Sequence, residues 1–142
     1  MRIEPIHNLA EAKALLSLLE LPHIDLTDKP GLSLVGIHAN GVLIATAGIE
    51  QHGDIGLLRS VAVAQAYRGK GRASKLVEFA ENAARSQSMK AIYLLTNTAE
   101  AFFSRLGYQV ITREETPLDI QHTQQFESLC PVSAKVMRKL LA

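Results

Sequence analysis

The residues best suited to chemistry are Tyr67-Arg68-Gly69-Lys70-Gly71-Arg72-Ala73, a basic turn punctuated by two glycines. They stand between a β-branched, apolar run ending in Val61-Ala62-Val63 and a proline-free stretch in which Ala73, Leu76, Val77, Ala80, Ala83 and Ala84 share one helical face. A strand feeding a helix through such a turn aims unpaired backbone N–H groups, and the positive end of the helix dipole, at one spot. Gly69 and Gly71 permit close approach and positive φ. The N–H groups of Gly69 to Ser74 therefore suit a phosphate or pyrophosphate. The lysine-bearing P-loop and the three-glycine dinucleotide fingerprint are both absent. A basic turn whose glycines serve only close packing is the other reading of these residues.

Further chemistry-bearing groups lie just upstream. Glu50 ends a strand predicted to pair with the run Leu57 to Val63 and is the first candidate for a general base; His52 and Asp54 sit in the neighbouring turn. Strand-end charges and turn histidines are also commonly just solvated. Arg59 interrupts an otherwise apolar strand, where a charge needs a partner. That partner is either a substrate carboxylate held in the guanidinium fork or an internal carboxylate, Glu50 or Asp54. Ser60 follows it on the same strand. Cys130 is the single cysteine, which excludes an internal disulfide and a cysteine-cluster metal site; it reads as a small buried hydrophobe in a reducing cytosol. No metal is expected. Lys70, Arg72 and Lys75 raise nucleic-acid binding as an alternative, but fifteen basic against fourteen acidic residues and 5% aromatics supply no field or stacking platform for it.

The elements that must position these groups follow from pattern. Arg2 to His7 alternates weakly as a first strand. Asn8 with Glu11 three residues on reads as a capping box, and Leu9, Ala12, Leu15, Leu16 and Leu19 hold helical spacing over residues 9 to 20. Pro22 to Gly31 reads as a loop. Leu32–Ala39 and Val42–Glu50 are strands around Asn40-Gly41, a strong two-residue hairpin signal, and His52-Gly53-Asp54 turns the chain into Ile55–Val63. After the helix that follows Arg68, Ala91 to Thr96 is a continuous apolar run suited to a strand parallel to its predecessor. Asn97 is expected to cap a second helix that stops at Gly107. Tyr108 to Thr112 is a further strand, residues 113 to 130 are irregular with a short helix over His122 to Leu129, and Val132 to Leu141 is a last strand. The N-terminus has no apolar run of a secretory signal and no stretch reads as a membrane span, so a single cytoplasmic domain over 1–142 is expected.

Taken together, Val61-Ala62-Val63, Arg68-Gly69-Lys70-Gly71-Arg72-Ala73 and Ala99-Glu100-Ala101-Phe102-Phe103-Ser104-Arg105-Leu106-Gly107-Tyr108 resemble, in order and spacing, the signature segments of the GCN5-related N-acetyltransferases (GNAT). The resemblance implies an α/β (α+β) GNAT fold: a mixed, mostly antiparallel sheet of six to seven strands, a V-shaped splay between the fourth and fifth strands, and helices on both faces. It implies acetyl-CoA as acetyl donor, with the pyrophosphate on Arg68, Gly69, Lys70, Gly71, Arg72, Ala73 and Ser74 and the pantetheine arm along Val61, Ala62 and Val63. Asn97 and Phe103 would also border the cofactor. The backbone N–H of Val61 would face the thioester oxygen as an oxyanion donor. The family often places a tyrosine acid where this chain has Phe103, and its usual Asn three residues before the helix alanine is here Thr96.

Gly48-Ile49-Glu50, Leu57 to Val63, Leu94-Leu95-Thr96 and Cys130-Pro131-Val132-Ser133-Ala134-Lys135-Val136-Met137 are similar to the N-acetyltransferases found among arsenic-resistance genes. These in turn resemble the acetyltransferase domain of N-acetylglutamate synthases. That likeness implies a small amine acceptor, an amino acid or analogue, bound by Arg59, Ser60 and Thr96, attacked directly in a ternary complex. One cysteine cannot chelate arsenite through three thiolates. A noncatalytic acyl-CoA-binding module and a protein N-terminal or lysine acetyltransferase are the alternatives. A C-terminal strand ending in Leu140-Leu141 suits pairing in a homodimer.

Overall fold

The structure, a computed structural model, describes residues 2–27, 30–127 and 133–141, and the backbone of 128 and 129. Among them one seven-stranded sheet runs in the order β1-β2-β3-β4-β5-β7-β6. Its strands are β1 (Glu4–Pro5), β2 (Leu32–Ala39), β3 (Val42–His52), β4 (Ile55–Val63), β5 (Ala91–Thr96), β6 (Gln109–Ile111) and β7 (Lys135–Leu140). All neighbours are antiparallel except β4 and β5. The helices are α1 (Leu9–Leu18), α2 (Arg72–Ser86), α3 (Glu100–Arg105) and α4 (Leu118–Gln121).

The local signals act where they stand in the sequence. Asn40 and Gly41 both take positive φ, 54° and 78°, as a tight hairpin matched to strand twist demands. Asn8 caps α1 by accepting from Ala10 N at 3.0 Å. Glu11 does not complete a capping box: its carboxylate accepts from or pairs with His38 Nε2 at 2.6 Å, tying α1 to β2. The helix ends at Leu18, short of residue 20, because Glu20 has turned to a φ of 58°.

The two faces of the sheet carry different helices. On one, α1 packs Ala12, Leu15 and Leu16 against Leu34, Leu43 and Ala62. On the other, α2 packs Val77, Ala80 and Ala84 against Ile49, Leu58, Ile92 and Leu94, and α3 adds Phe103. Burying each leucine or isoleucine here contributes on the order of 1.5–3 kcal/mol, so α2 is held as a rigid continuation of β4. A buried polar tie reinforces it: Glu81 of α2 accepts from Tyr108 Oη at 2.9 Å and from Lys139 Nζ of β7 at 3.0 Å. Burial first, and then the adjacent Glu81 carboxylate, push the Tyr108 phenol well above its ordinary pKa.

Two expectations from sequence need correction. The stretch 113 to 130 is not simply irregular: α4 occupies Leu118–Gln121, burying Ile120 against Leu57, Ala91 and Tyr93, and a π-helical turn spans Gln125–Leu129. The last strand is interior, paired with β5 along its whole length and with β6 from Val136 to Arg138. Its edges are thus largely used by its own sheet, which removes the basis for pairing it with another subunit. Cys130 lies outside the described residues.

Candidate active site

Parallel pairing of β4 with β5 extends only from Ile55 to Leu57, opposite Ala91 to Tyr93. Beyond it the strands part, while each keeps its other edge paired, β4 with β3 and β5 with β7. The gap is a cleft of about 600 Å³, walled by Leu58, Arg59, Ser60 and Val61 on one side and Leu94 to Ala99 on the other. Leu19 to Pro22, Phe103, Gln125 and Ala134 close the remaining sides. A crevice at the carboxyl ends of parallel strands is the usual place for a ligand in such sheets.

A bulge shapes the β4 wall. Thr46 pairs with Ala62 and Gly48 with Arg59, so Ser60 and Val61 together face the single residue Ala47. Ser60 adopts φ 58°, a conformation that side chains other than glycine rarely take. A two-for-one bulge leaves a backbone group without its ladder partner and turns it out of the sheet plane. Ser60 and Val61, the two residues of the bulge, both lie on the cleft wall.

The turn after β4 is the one expected from sequence to cradle an anion. Gly69 and Gly71 have φ 83° and 74°, and a β-carbon on either would meet nothing within 4 Å, so conformation and not crowding calls for glycine. Gly71 is the N-cap of α2, and no side chain caps the helix. The first N–H groups of α2 therefore point outward without intrahelical partners. Arginine side chains brace the turn: Arg68 Nε donates to Val63 O at 2.9 Å, and Arg72 Nη1 donates to Tyr67 O at 2.8 Å while its guanidinium lies 5.5 Å from the Tyr67 ring centre. The cradle is thus offered by backbone, held in shape by Arg68 and Arg72.

The sequence profile of the acetyltransferase (GNAT) family matches residues 4–108, which include the cradle, the bulge and both strands of the splay. The chain belongs to the GNAT acetyltransferase family. An amino-acid acetyltransferase of Pseudomonas fluorescens (strain Pf0-1) is 32% identical over 83 residues, 57% of this chain but only 19% of that protein. The N-acetylglutamate synthase of Neisseria gonorrhoeae, solved with coenzyme A and N-acetyl-glutamate, superposes with a TM-score of 0.79 at 18% identity, over 99% of this chain and 35% of that one. An aminoglycoside 6'-N-acetyltransferase solved with coenzyme A gives 0.76 at 16% identity, over 100% and 98%. The chain spans well under two thirds of the amino-acid acetyltransferase and of the synthase.

Within this GNAT frame the remaining expected site residues can be placed. Arg59 Nη1 and Nη2 donate to Asp25 Oδ2 and Oδ1, each at 2.6 Å, and Nη1 also donates to Glu50 Oε2 at 2.6 Å. Its Nε donates to Ser60 Oγ at 3.2 Å. The internal salt bridge therefore forms with Asp25 and Glu50; Asp54 instead faces Lys90 at 3.6 Å near the surface. Burial opposes the Arg59 charge, but hydrogen bonds to Asp25 and Glu50 more than offset it and raise its pKa. Glu50, 4% exposed, stands behind Arg59 and not on the cleft wall. His52 Nε2 is 3.4 Å from Glu50 Oε1, buried and without a hydrogen bond.

On the β5 side, Asn97 does not cap α3. Thr96 Oγ1 accepts from Ala99 N at 2.9 Å, and α3 begins at Glu100. The hydroxyl one residue earlier reaches the helix end, leaving Asn97 exposed on the cleft rim. Phe103 is buried, edge-on to Phe102 and Tyr108 with ring centres 5.0 and 5.7 Å away. Two wall or near-wall residues, Asp25 and Gln125, carry no motif; each lies in a segment of mixed polarity with no face to read.

Proposed function

We propose that the chain is an acetyl-CoA-dependent N-acetyltransferase that acetylates the amine of a small molecule, an amino acid or amino-acid analogue, within a ternary complex. The observation that carries this reading is the splay of β4 from β5, ending at the uncapped N-terminus of α2. The residues fit coenzyme A: the glycines at 69 and 71 leave open space before a row of outward N–H groups, and the bulge at Ser60 and Val61 lies on the cleft wall. Acetyl-CoA supplies the activated acetyl thioester. The N–H groups of Gly69 to Ser74 hold phosphate oxygens, with Arg68, Lys70 and Arg72 shaping or flanking the turn. Val61, Ala62 and Val63 offer backbone edges to an extended arm, as an added strand would use them. The Val61 N–H donates to the oxygen on which negative charge develops. Holding both reactants in one cleft supplies a large part of the acceleration.

Glu50 acts through Arg59: with Asp25 it holds the guanidinium in place beside Ser60 on the β4 wall. The amine's proton leaves through the wall polar groups to solvent. Phe103 cannot donate a proton, and coenzyme A is a thiol stable enough as an anion to depart without a side-chain acid.

The amino-acid acceptor is supported by the relatives named for amino-acid and N-acetylglutamate chemistry. The likeness to arsenic-resistance acetyltransferases brings amino-acid analogues into the same class. A noncatalytic acyl-CoA-binding role is the second reading, favoured by Phe103. Calorimetric titration with acetyl-CoA, followed by thiol release across amino acids, their analogues, aminoglycosides and peptides, separates them. Micromolar acetyl-CoA binding with amino-acid-dependent thiol release is expected. Absence of binding at millimolar cofactor overturns the first reading; binding without turnover on any acceptor establishes the second.

A further inference from the structure

Ser60 is one of the two bulge residues of β4 opposite Ala47, and its φ of 58° is one that glycine adopts freely and a residue with a β-carbon does not. What serine adds over glycine at that position is a hydroxyl on a residue of the cleft wall. Arg59 Nε donates to Ser60 Oγ at 3.2 Å. A guanidinium can only donate, so this bond occupies a lone pair of the oxygen and leaves the hydroxyl proton uncommitted. Among the described residues Ser60 has no other hydrogen-bond partner.

The donor is also strengthened. Linked hydrogen bonds polarise one another, and a cation donating to Oγ draws electron density from it and makes its O–H a better donor. Asp25 and Glu50 fix the guanidinium: Asp25 Oδ1 accepts from Nη2 and Glu50 Oε2 from Nη1, each at 2.6 Å, and the Arg59 side chain is fully buried. A donor prepared in this way suits an atom that becomes negative during reaction.

Two atoms of a thioester become negative in turn, the carbonyl oxygen on attack and the sulfur on departure. Both are bonded to one carbon, so the donors that serve them must be neighbours. Val61, whose N–H donates to the oxygen in the reading above, follows Ser60 directly, and both line the cleft. Thr96 lies across the cleft on β5, where its Oγ1 accepts from Ala99 N, and Phe103 has no proton to offer.

We propose that the Ser60 hydroxyl donates a hydrogen bond to the sulfur of coenzyme A as the thiolate departs, which makes Ser60 a catalytic residue on the acetyl-donor side of the reaction. This rests on the N-acetyltransferase reading above. As the acceptor nitrogen bonds to the acetyl carbon, the carbon–sulfur bond breaks with its electron pair on sulfur. The amine's proton goes to solvent, Ser60 keeps its own, and coenzyme A leaves as the thiolate.

The test uses wild type, Ser60→Ala and Ser60→Gly. Both variants remove the hydroxyl and only glycine relaxes the backbone, so an effect of the hydroxyl is common to the two while an effect of the bulge is not. The first readout needs no turnover: the ionisation of the bound coenzyme A thiol, followed by its ultraviolet thiolate absorbance against pH. A hydrogen bond to the charged form favours that form, so the bound thiol should titrate about one to two pH units lower in wild type than in either variant. Affinity for desulfo-coenzyme A, which has no sulfur to accept the bond, should stay within about threefold of wild type in both. With acetyl-CoA, kcat should fall roughly 10- to 100-fold in both while the acceptor KM stays within about threefold. A bound thiol that titrates alike in all three proteins, a loss of desulfo-coenzyme A affinity, or two variants that differ from each other as much as from wild type would overturn the assignment of Ser60 while leaving the enzyme reading intact. A raised acceptor KM with an unshifted thiol would do the same and place Ser60 with the acceptor. A wild type that does not bind coenzyme A would overturn the acetyl-CoA reading and this inference with it.

Discussion

Asp25 Oδ1 and Oδ2 each accept from a different terminal nitrogen of Arg59 at 2.6 Å, so a carboxylate from the loop after α1 fills the guanidinium fork. All three members of the cluster are buried, Arg59 at 3%, Glu50 at 4% and Asp25 at 7% exposure. Desolvation makes such a cluster weak as a source of net stability, while removal of one partner leaves a buried charge uncompensated. Asp25→Asn should therefore destabilise by about 3 kcal/mol in urea unfolding, and Arg59→Met by at least as much, because two carboxylates then lose their cation. Arg59→Met combined with Asp25→Leu should recover part of the loss. Additive costs in the double variant would show that the two side chains are not coupled.

His38 stands between two carboxylates, Nε2 at 2.6 Å from Glu11 and Nδ1 at 3.1 Å from Glu4, and so links β2 to α1 and β1. The hydrogen bond to Glu11 is the main cause of its raised pKa; the bond to Glu4 and both charges add to it, and partial burial works against them. A histidine whose folded pKa lies above its unfolded value contributes stability in full below the ordinary value of 6.5, and loses it as pH rises through the raised folded value. The urea midpoint of wild type should thus decline as pH rises from about 6.5 through the raised value, and that of His38→Gln should be flatter over the same window. Parallel curves would mean that the histidine is not clasped in solution.

What could be read from sequence was what local pattern encodes. The Asn40-Gly41 hairpin, the glycine turn, the stripe of α2 and the apolar β5 each depend on residues a few positions apart, and each formed as spaced. The splay between the fourth and fifth strands came with the family resemblance; local pattern did not show it, since β4 and β5 keep their other edges paired throughout. Strand order was less legible. That β7 inserts between β5 and β6 follows from pairings 39 to 49 positions apart with β5 and 25 to 29 with β6, which periodicity does not carry.

At the site, the sequence showed that Arg59 needed a partner but not which one. Glu50 was readable as its neighbour across the hairpin; Asp25 was not, since it arrives from a loop 34 positions away. Asn97 does not take the capping role expected of it because α3 starts only at Glu100, with Ala99 at its N-cap and no side chain capping it. Gln125 had no signal at all: an amide in a polar segment looks solvated until the fold buries it.

Gly71 provides the sharpest check on the cradle. Its φ of 74° at the N-cap of α2 is strained for any residue with a β-carbon, but the space around that carbon is empty. Gly71→Ala should therefore cost only about 1 kcal/mol of stability, from backbone conformation alone. Gly71→Glu carries the same conformational cost, and its charge is favourable to the helix end, so its Tm should be no lower than that of Gly71→Ala. Binding should separate the two. The glutamate puts a negative side chain before the N–H groups meant for phosphate, so calorimetry with acetyl-CoA should show affinity within about tenfold of wild type for Gly71→Ala and none at millimolar concentration for Gly71→Glu. Equal affinity in the two variants, with Tm values also equal, would place the phosphates elsewhere on the chain.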